Sequence, residues 1–238
     1  MRACLQVALA LSALLAADAR AADIDWNTLP VERLATLPAI APAAAARAQP
    51  VYARRCAACH GADRAGDTAR GVPNLADAVW LWGDGTADSE LEALVETLRV
   101  GIRSAHPKTR AVTVMPAYGA GGRPEARLSL AQIEDLTQLV LALSGQDHDP
   151  AAAQRGRALY AGAANCISCH GPDGSGNSDY GASDLTVRLP SAWVYGRTPE
   201  AIRDSIVRGR AGTCPAWGGV LPEADLKALA LWLRGTAQ

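Results

Sequence analysis

Phenylalanine is absent from the 238 residues, lysine occurs only at 108 and 227, and methionine only at 1 and 115. Without Phe, the cores must be filled by Trp, Tyr, Leu and Val. The cations are almost all arginine, which a GC-rich genome explains as readily as function does. An excess of charge is lacking too. With 23 Lys+Arg against 24 Asp+Glu there is no electrostatic footprint for nucleic acid. No stretch alternates apolar and polar residues for long, which excludes an extended half-buried sheet. Past the N-terminus no apolar run is long enough to span a bilayer.

The one long apolar run stands at the start. Arg2, the apolar residues 3–17 and Ala19-Arg20-Ala21 have the layout of a secretory leader, residues 1–21, ending in an A-x-A cleavage site. The run is shorter than the roughly 20 residues of a spanning helix, although an uncleaved anchor is the alternative. The mature chain is expected to be exported to the periplasm, with no integral membrane span after cleavage. Cysteine must then be read for an oxidising compartment. Five remain after Cys4, an odd number, and four of them form two C-x-x-C pairs each followed by His.

Those pairs lie in "RCAACH" (55–60) and "NCISCH" (165–170), and they mark an internal duplication. "GVPNL" (71–75) matches "GASDL" (181–185), "WLWG" (80–83) matches "WVYG" (193–196), and "VMPAYG" (114–119) matches "TCPAWG" (213–218). Each repeat closes on an amphipathic helix. Leu136, Leu139, Val140 and Leu143 form one apolar stripe, and Leu226, Leu229, Ala230 and Leu233 the other. Ser129 with Gln132 predicts a capping box, and Pro222 suits a first turn. The expected organisation is an Ala/Pro-rich lead-in at 22–48, extended or a loosely packed arm, a first domain at 49–145, a linker at 146–152 and a second domain at 153–238. The fold class is all-α.

In C-x-x-C-H the two thiols stand one turn apart, where they can add to the vinyl groups of a haem, and the His falls beneath the iron. Zinc is the competing reading of Cys and His. Two identical units in an exported chain favour haem: Cys56, Cys59 and His60 for the first, Cys166, Cys169 and His170 for the second. Met115 is the candidate sixth ligand of the first, a soft neutral thioether that raises the potential. Its bland alternative is a core methionine. His106, in an insertion before Met115, is a further candidate ligand or a solvated loop residue. His148 falls in the linker.

The repeats resemble class I cytochrome c domains, two in tandem, and their wording resembles the di-haem subunit of cbb-type cytochrome c oxidases and its soluble relatives. The resemblance implies two covalently bound haem c groups, iron ligation by His60, Met115 and His170, and electron transfer between redox partners such as a membrane oxidase or a periplasmic dehydrogenase. It also implies that the Pro73 carbonyl accepts from the proximal imidazole, with Ser183 at that place in the second repeat, and that Trp80 and Trp193 line the haems. The chain departs from the pattern at Cys214, which occupies the distal methionine position of the second repeat. It is expected to give a low-potential His170/Cys214 haem beside a His60/Met115 haem. The alternatives are a small buried residue and an oxidisable thiol. Two other functions remain open. One is an oxidoreductase of the thiosulfate dehydrogenase type, with Arg197, Arg203, Arg208 and Arg210 forming an anion pocket. The other is a redox or gas sensor.

Overall fold

The computed structural model describes residues 24–111 and 114–236. The expected leader lies outside them. Among the described residues nine α-helices carry the fold: α1 (Val31–Ala35), α2 (Ile40–Arg55), α3 (Ala57–His60), α4 (Ala87–Val100), α5 (Leu130–Leu143), α6 (Pro150–Ala161), α7 (Ile167–His170), α8 (Pro199–Arg208) and α9 (Glu223–Thr236). Extended pairing among the described residues is limited to isolated bridges, so the all-α expectation holds.

The lead-in is not extended. Residues 40–48 are the first half of α2, and Ala44, Ala48, Val51 and Tyr52 form its buried stripe. Alanine is the strongest helix former, and Pro42 falls in the first turn, where amide groups lack helical partners anyway. Upstream of α2 the chain is pinned by Lys227. Its ammonium, almost fully buried, donates to the carbonyls of Trp26, Asn27 and Leu29 at 3.1, 3.2 and 2.7 Å. Three carbonyl dipoles offset the cost of burying that cation.

The closing helices form as expected. Ser129 and Gln132 make the reciprocal capping box of α5, and Leu226, Leu229, Ala230 and Leu233 are all buried on α9. Their packing partners were not anticipated. α5, which ends the first repeat, packs on α6 and α8 of the second, and α9, which ends the second repeat, packs on α2 and α4 of the first. The turn at 144–149 is short, so α5 and α6 fold back as an antiparallel hairpin. Gly156 permits the close approach: a Cβ there would stand 2.1 Å from the Asp135 carbonyl oxygen. Arg155 adds an ion pair to Asp135 at 2.7 Å. With α5 committed to α6, the apolar face of α2 is left for α9.

Two cores result. One joins Leu34, Ala44, Ala48, Val51 and Tyr52 to Ala228, Leu229 and Leu233, with Cys56, Leu75 and Trp80 at its margin. The other joins Ile133, Leu136, Leu139 and Val140 to Tyr160, Ile202 and Ile206, with Met115, Cys166, Leu185 and Trp193 at its margin. We call these the first and second units. Each contains a closing segment from the other repeat.

Candidate haem-binding sites

Each C-x-x-C-H folds as a single helical turn. His60 N–H donates to Cys56 O at 3.0 Å and His170 N–H to Cys166 O at 2.9 Å, which sets the thiols one turn apart. The imidazoles are fixed from behind. His60 Nδ1 lies 3.1 Å from Pro73 O, and His170 Nδ1 lies 2.8 Å from Ser183 O. As each carbonyl can only accept, Nδ1 carries the proton and Nε2 keeps its lone pair for a metal. Burial, opposed by that hydrogen bond, lowers both histidine pKa values and favours the neutral, ligating form. Pro73 O and Ser183 O hold equivalent places behind the two imidazoles, since only the carbonyl is used.

Sequence reading missed a supporting pair. Tyr52 and Tyr160 donate their hydroxyls to Gly61 O and Gly171 O, both at 2.7 Å, tying the residue after each histidine to the preceding helix. Both glycines have positive φ. The signal was a tyrosine shortly before each first cysteine.

The distal loops change places between the units. Met115 N–H donates to Arg210 O and Arg210 N–H to Met115 O, both at 3.0 Å. Ile102 and Cys214 exchange the equivalent pair at 2.9 Å. Further along, Tyr118 and Gly119 donate to Ile206 O and Val207 O of α8, while Trp217 and Gly218 donate to Leu98 O and Arg99 O of α4. The "MPAYG" loop thus lies on the second unit and the "TCPAWG" loop on the first. Side chains agree. Met115 packs at the margin of the core that Cys166, Ile167 and Trp193 border. The Tyr118 hydroxyl donates to Ala164 O, beside Cys166. The Cys214 thiol is close enough to Cys56 and Cys59 to interact electrostatically with both. The pairing expected from chain order set Met115 with the first motif and Cys214 with the second; the Met115 loop instead lies at the core that Cys166 borders, and the Cys214 thiol lies near Cys56 and Cys59.

A glycine with positive φ ends each receiving helix, Gly101 at +69° and Gly209 at +68°. A Cβ on Gly101 would lie 2.5 Å from Cys214 O, and one on Gly209 would lie 2.4 Å from Met115 O. Only a bare backbone lets each distal loop approach this closely.

Trp80 borders the first core and Trp193 the second. Trp193 Nε1 donates to Val187 O at 3.0 Å. Trp82 and Tyr195 reach across instead. A Cβ on Gly181 would meet the Trp82 ring at 2.4 Å, and one on Gly71 would meet the Tyr195 ring at 2.3 Å. Each unit thus lays an aromatic ring on the proximal loop of the other.

Other candidates do not converge on a site. Arg203 pairs with Glu134, Arg208 and Arg210 with Asp204, and Arg197 donates to Arg188 O and Ser144 O. Three of these arginines are paired with carboxylates and Arg197 is held by two backbone carbonyls, which does not favour the anion-pocket reading. His106 Nδ1 accepts from Lys108 N–H within its own loop, and His148 is held at Gln146 O in the exposed turn. Among the described residues no three His, Cys, Asp or Glu side chains form a metal-holding group, so zinc is not supported. The neutral histidine Nε2, the paired thiols and the sulfur-bearing loop in each unit suit a covalently attached, axially ligated haem.

Residues 45–144 match the family model for cytochrome c, and residues 151–233 match that for cytochrome c oxidase, cbb3-type, subunit III. The chain is 39% identical over 194 residues to the cbb3-type cytochrome c oxidase subunit FixP of Bradyrhizobium sp. (strain ORS 278), covering 80% of this chain and 60% of that protein. It is 36% identical over 185 residues to the CcoP subunit of Cereibacter sphaeroides, covering 78% and 58%. A third, FixP of Bradyrhizobium diazoefficiens, is 36% identical over 200 residues, covering 82% and 62%. This chain spans about three-fifths of the length of these relatives. Motif, fold and similarity together make it a tandem class I cytochrome c, two domains with one covalently bound haem c each, similar to the CcoP and FixP subunits of cbb3-type oxidases.

Proposed function

We propose that the chain is a periplasmic di-haem electron carrier in which the distal ligands are exchanged between repeats. The first haem, on Cys56, Cys59 and His60, takes Cys214, and the second, on Cys166, Cys169 and His170, takes Met115. When bound, haem supplies a one-electron iron couple. The polypeptide's part is to attach, orient and tune it. The cysteines prevent loss of the group, and the Pro73 and Ser183 carbonyls hold each imidazole in its ligating tautomer. Trp80 and Trp193 exclude water. Met115 offers a neutral thioether that favours the ferrous state. Cys214 offers an anionic donor that favours the ferric state, so the first haem is the low-potential one.

In the polypeptide alone burial pushes the Cys214 thiol up, followed by the influence of Cys59. With haem bound, Cys214 would be held as the thiolate, its charge matched by that of ferric iron. With both axial positions filled, neither haem has an open site for substrate, and electron transfer is the remaining role. Electrons run downhill from the first haem to the second. Proposed partners are a membrane oxidase of the kind the relatives belong to, or a periplasmic dehydrogenase.

The observation that carries the reading is the pair of reciprocal bridges, Met115 with Arg210 and Ile102 with Cys214. Low-temperature EPR of the ferric protein tests the ligand set. The expected result is one narrow-spread low-spin thiolate signal beside one His/Met signal, with the former lost in Cys214→Met. A wild-type spectrum identical to that of the variant rejects Cys214 as a ligand.

A further inference from the structure

We propose that Trp82 and Tyr195 position the proximal histidine of the opposite unit, an inference that rests on the two motifs carrying haem c. The two rings stand two residues after Trp80 and Trp193, which pack on the cores. Each turns instead to the other unit's proximal loop. A Cβ on Gly181 would meet Cζ2, Cε2 and Cη2 of Trp82 at 2.4, 2.7 and 2.8 Å. One on Gly71 would meet Cε1, Cζ and the hydroxyl oxygen of Tyr195 at 2.3, 2.7 and 2.9 Å. Gly181 and Gly71 have φ of +61° and +67°, so each ring lies on bare backbone where a side chain would be strained. Two residues further along each loop stands the carbonyl that fixes the imidazole, Ser183 O for His170 and Pro73 O for His60.

Each loop has two supports. One comes from the segment after its own histidine. Gly176 and Gly66 donate to His170 O and His60 O at 2.9 and 3.0 Å, and a Cβ on either would lie 2.6 Å from Ala182 O or 2.5 Å from Val72 O. The other support is the ring of the opposite unit, and that ring is braced by an arginine. The Arg110 guanidinium lies 4.3 Å from the Trp82 centroid and donates from Nη2 to Ala93 O at 3.3 Å. Arg210 lies 4.2 Å from the Tyr195 centroid and is held by Asp204 and Ser205 at 2.9 and 3.0 Å. A braced ring keeps the loop, and with it the carbonyl, against the imidazole. The Nδ1–H bond to that carbonyl makes the histidine a stronger donor and favours ferric iron. Withdrawing the ring lets the bond lengthen, and the midpoint of the opposite haem rises.

Optically monitored redox titration of Trp82→Phe, Tyr195→Leu and Tyr195→Phe tests the assignment. The first haem is identified as the one missing from a Cys56→Ala/Cys59→Ala variant. Trp82→Phe keeps a ring beside Arg110 but withdraws the outer indole edge that meets Gly181. It should raise the midpoint of the second haem and leave the first in place. Tyr195→Leu should raise the first alone, and Tyr195→Phe, which keeps the Cε1–Cζ edge, should stay near wild type. A shift confined to the ring's own haem, an equal shift in both or no shift in either overturns the proposal. Exchange of the Nδ1–H proton, followed by NMR in the reduced protein, reads the bond itself. It should quicken at His170 in Trp82→Phe, and an unchanged rate there overturns the proposal. If a variant fails to attach a haem, mass spectrometry of the haem peptides decides: loss at the opposite motif supports the positioning role, and loss at the ring's own motif overturns it. A wild-type chain with fewer than two haems by pyridine haemochrome would instead fail the underlying reading, whatever the rings do.

Discussion

At the residue scale, function turns on three kinds of position. The proximal histidines depend on a backbone acceptor rather than a side chain, so replacing Pro73's counterpart by Ser183 leaves the second site intact. Cys214 sets the asymmetry. Cys214→Met should raise the potential of the first haem by removing an anionic donor, as read in a redox titration. A potential that falls or stays fixed would count against thiolate ligation. The third kind is the glycine pair. Gly101→Ala or Gly209→Ala must place a Cβ at positive φ and against the distal-loop backbone. Each should cost about 2 kcal/mol or more in denaturant unfolding, from left-handed strain plus displacement of the loop. A loss below half that would show that the loops relax freely. Ser129→Ala should cost about 1 kcal/mol, the value of the lost cap.

At the element scale, the exchange of closing helices makes a distinctive prediction. Leu229 is fully buried against α2, in the core that Cys56 and Trp80 border. Leu229→Ala should destabilise by about 2–5 kcal/mol and perturb the spectrum of the first haem, although Leu229 lies in the second repeat. Leu136→Ala should do the reverse. Perturbation of the haem in the mutated residue's own repeat would contradict the packing. Much of this was legible in sequence: the stripes on α5 and α9, the Ser129 cap, both C-x-x-C-H turns and both sulfur-bearing loops. The start of α2 was not, because Pro42 in an alanine run looks like a breaker until its place in the first turn is known. The exchange itself was not legible either. Two repeats with one fold present the same apolar pattern whichever partner fills each groove, so periodicity cannot tell a swapped helix from an unswapped one.

At the scale of the whole molecule, the two units are interlocked in three ways: exchanged helices, exchanged distal loops, and the reciprocal contacts of Trp82 on Gly181 and Tyr195 on Gly71. Near-neutral overall charge leaves the asymmetry of the sites to their ligands rather than to a global field. Among the described residues no helix is long and apolar enough to cross a membrane.

The central claim is that each haem takes its distal sulfur from the other repeat. It is tested most directly by low-temperature EPR of the Cys56→Ala/Cys59→Ala variant, which keeps only the second haem. Crossed ligation predicts a pure His/Met EPR signal, accompanied by the far-red methionine band in the optical absorption spectrum, both unaffected by adding Cys214→Met. A narrow thiolate signal on that surviving haem, abolished by Cys214→Met, would contradict it and return each ligand to its own repeat.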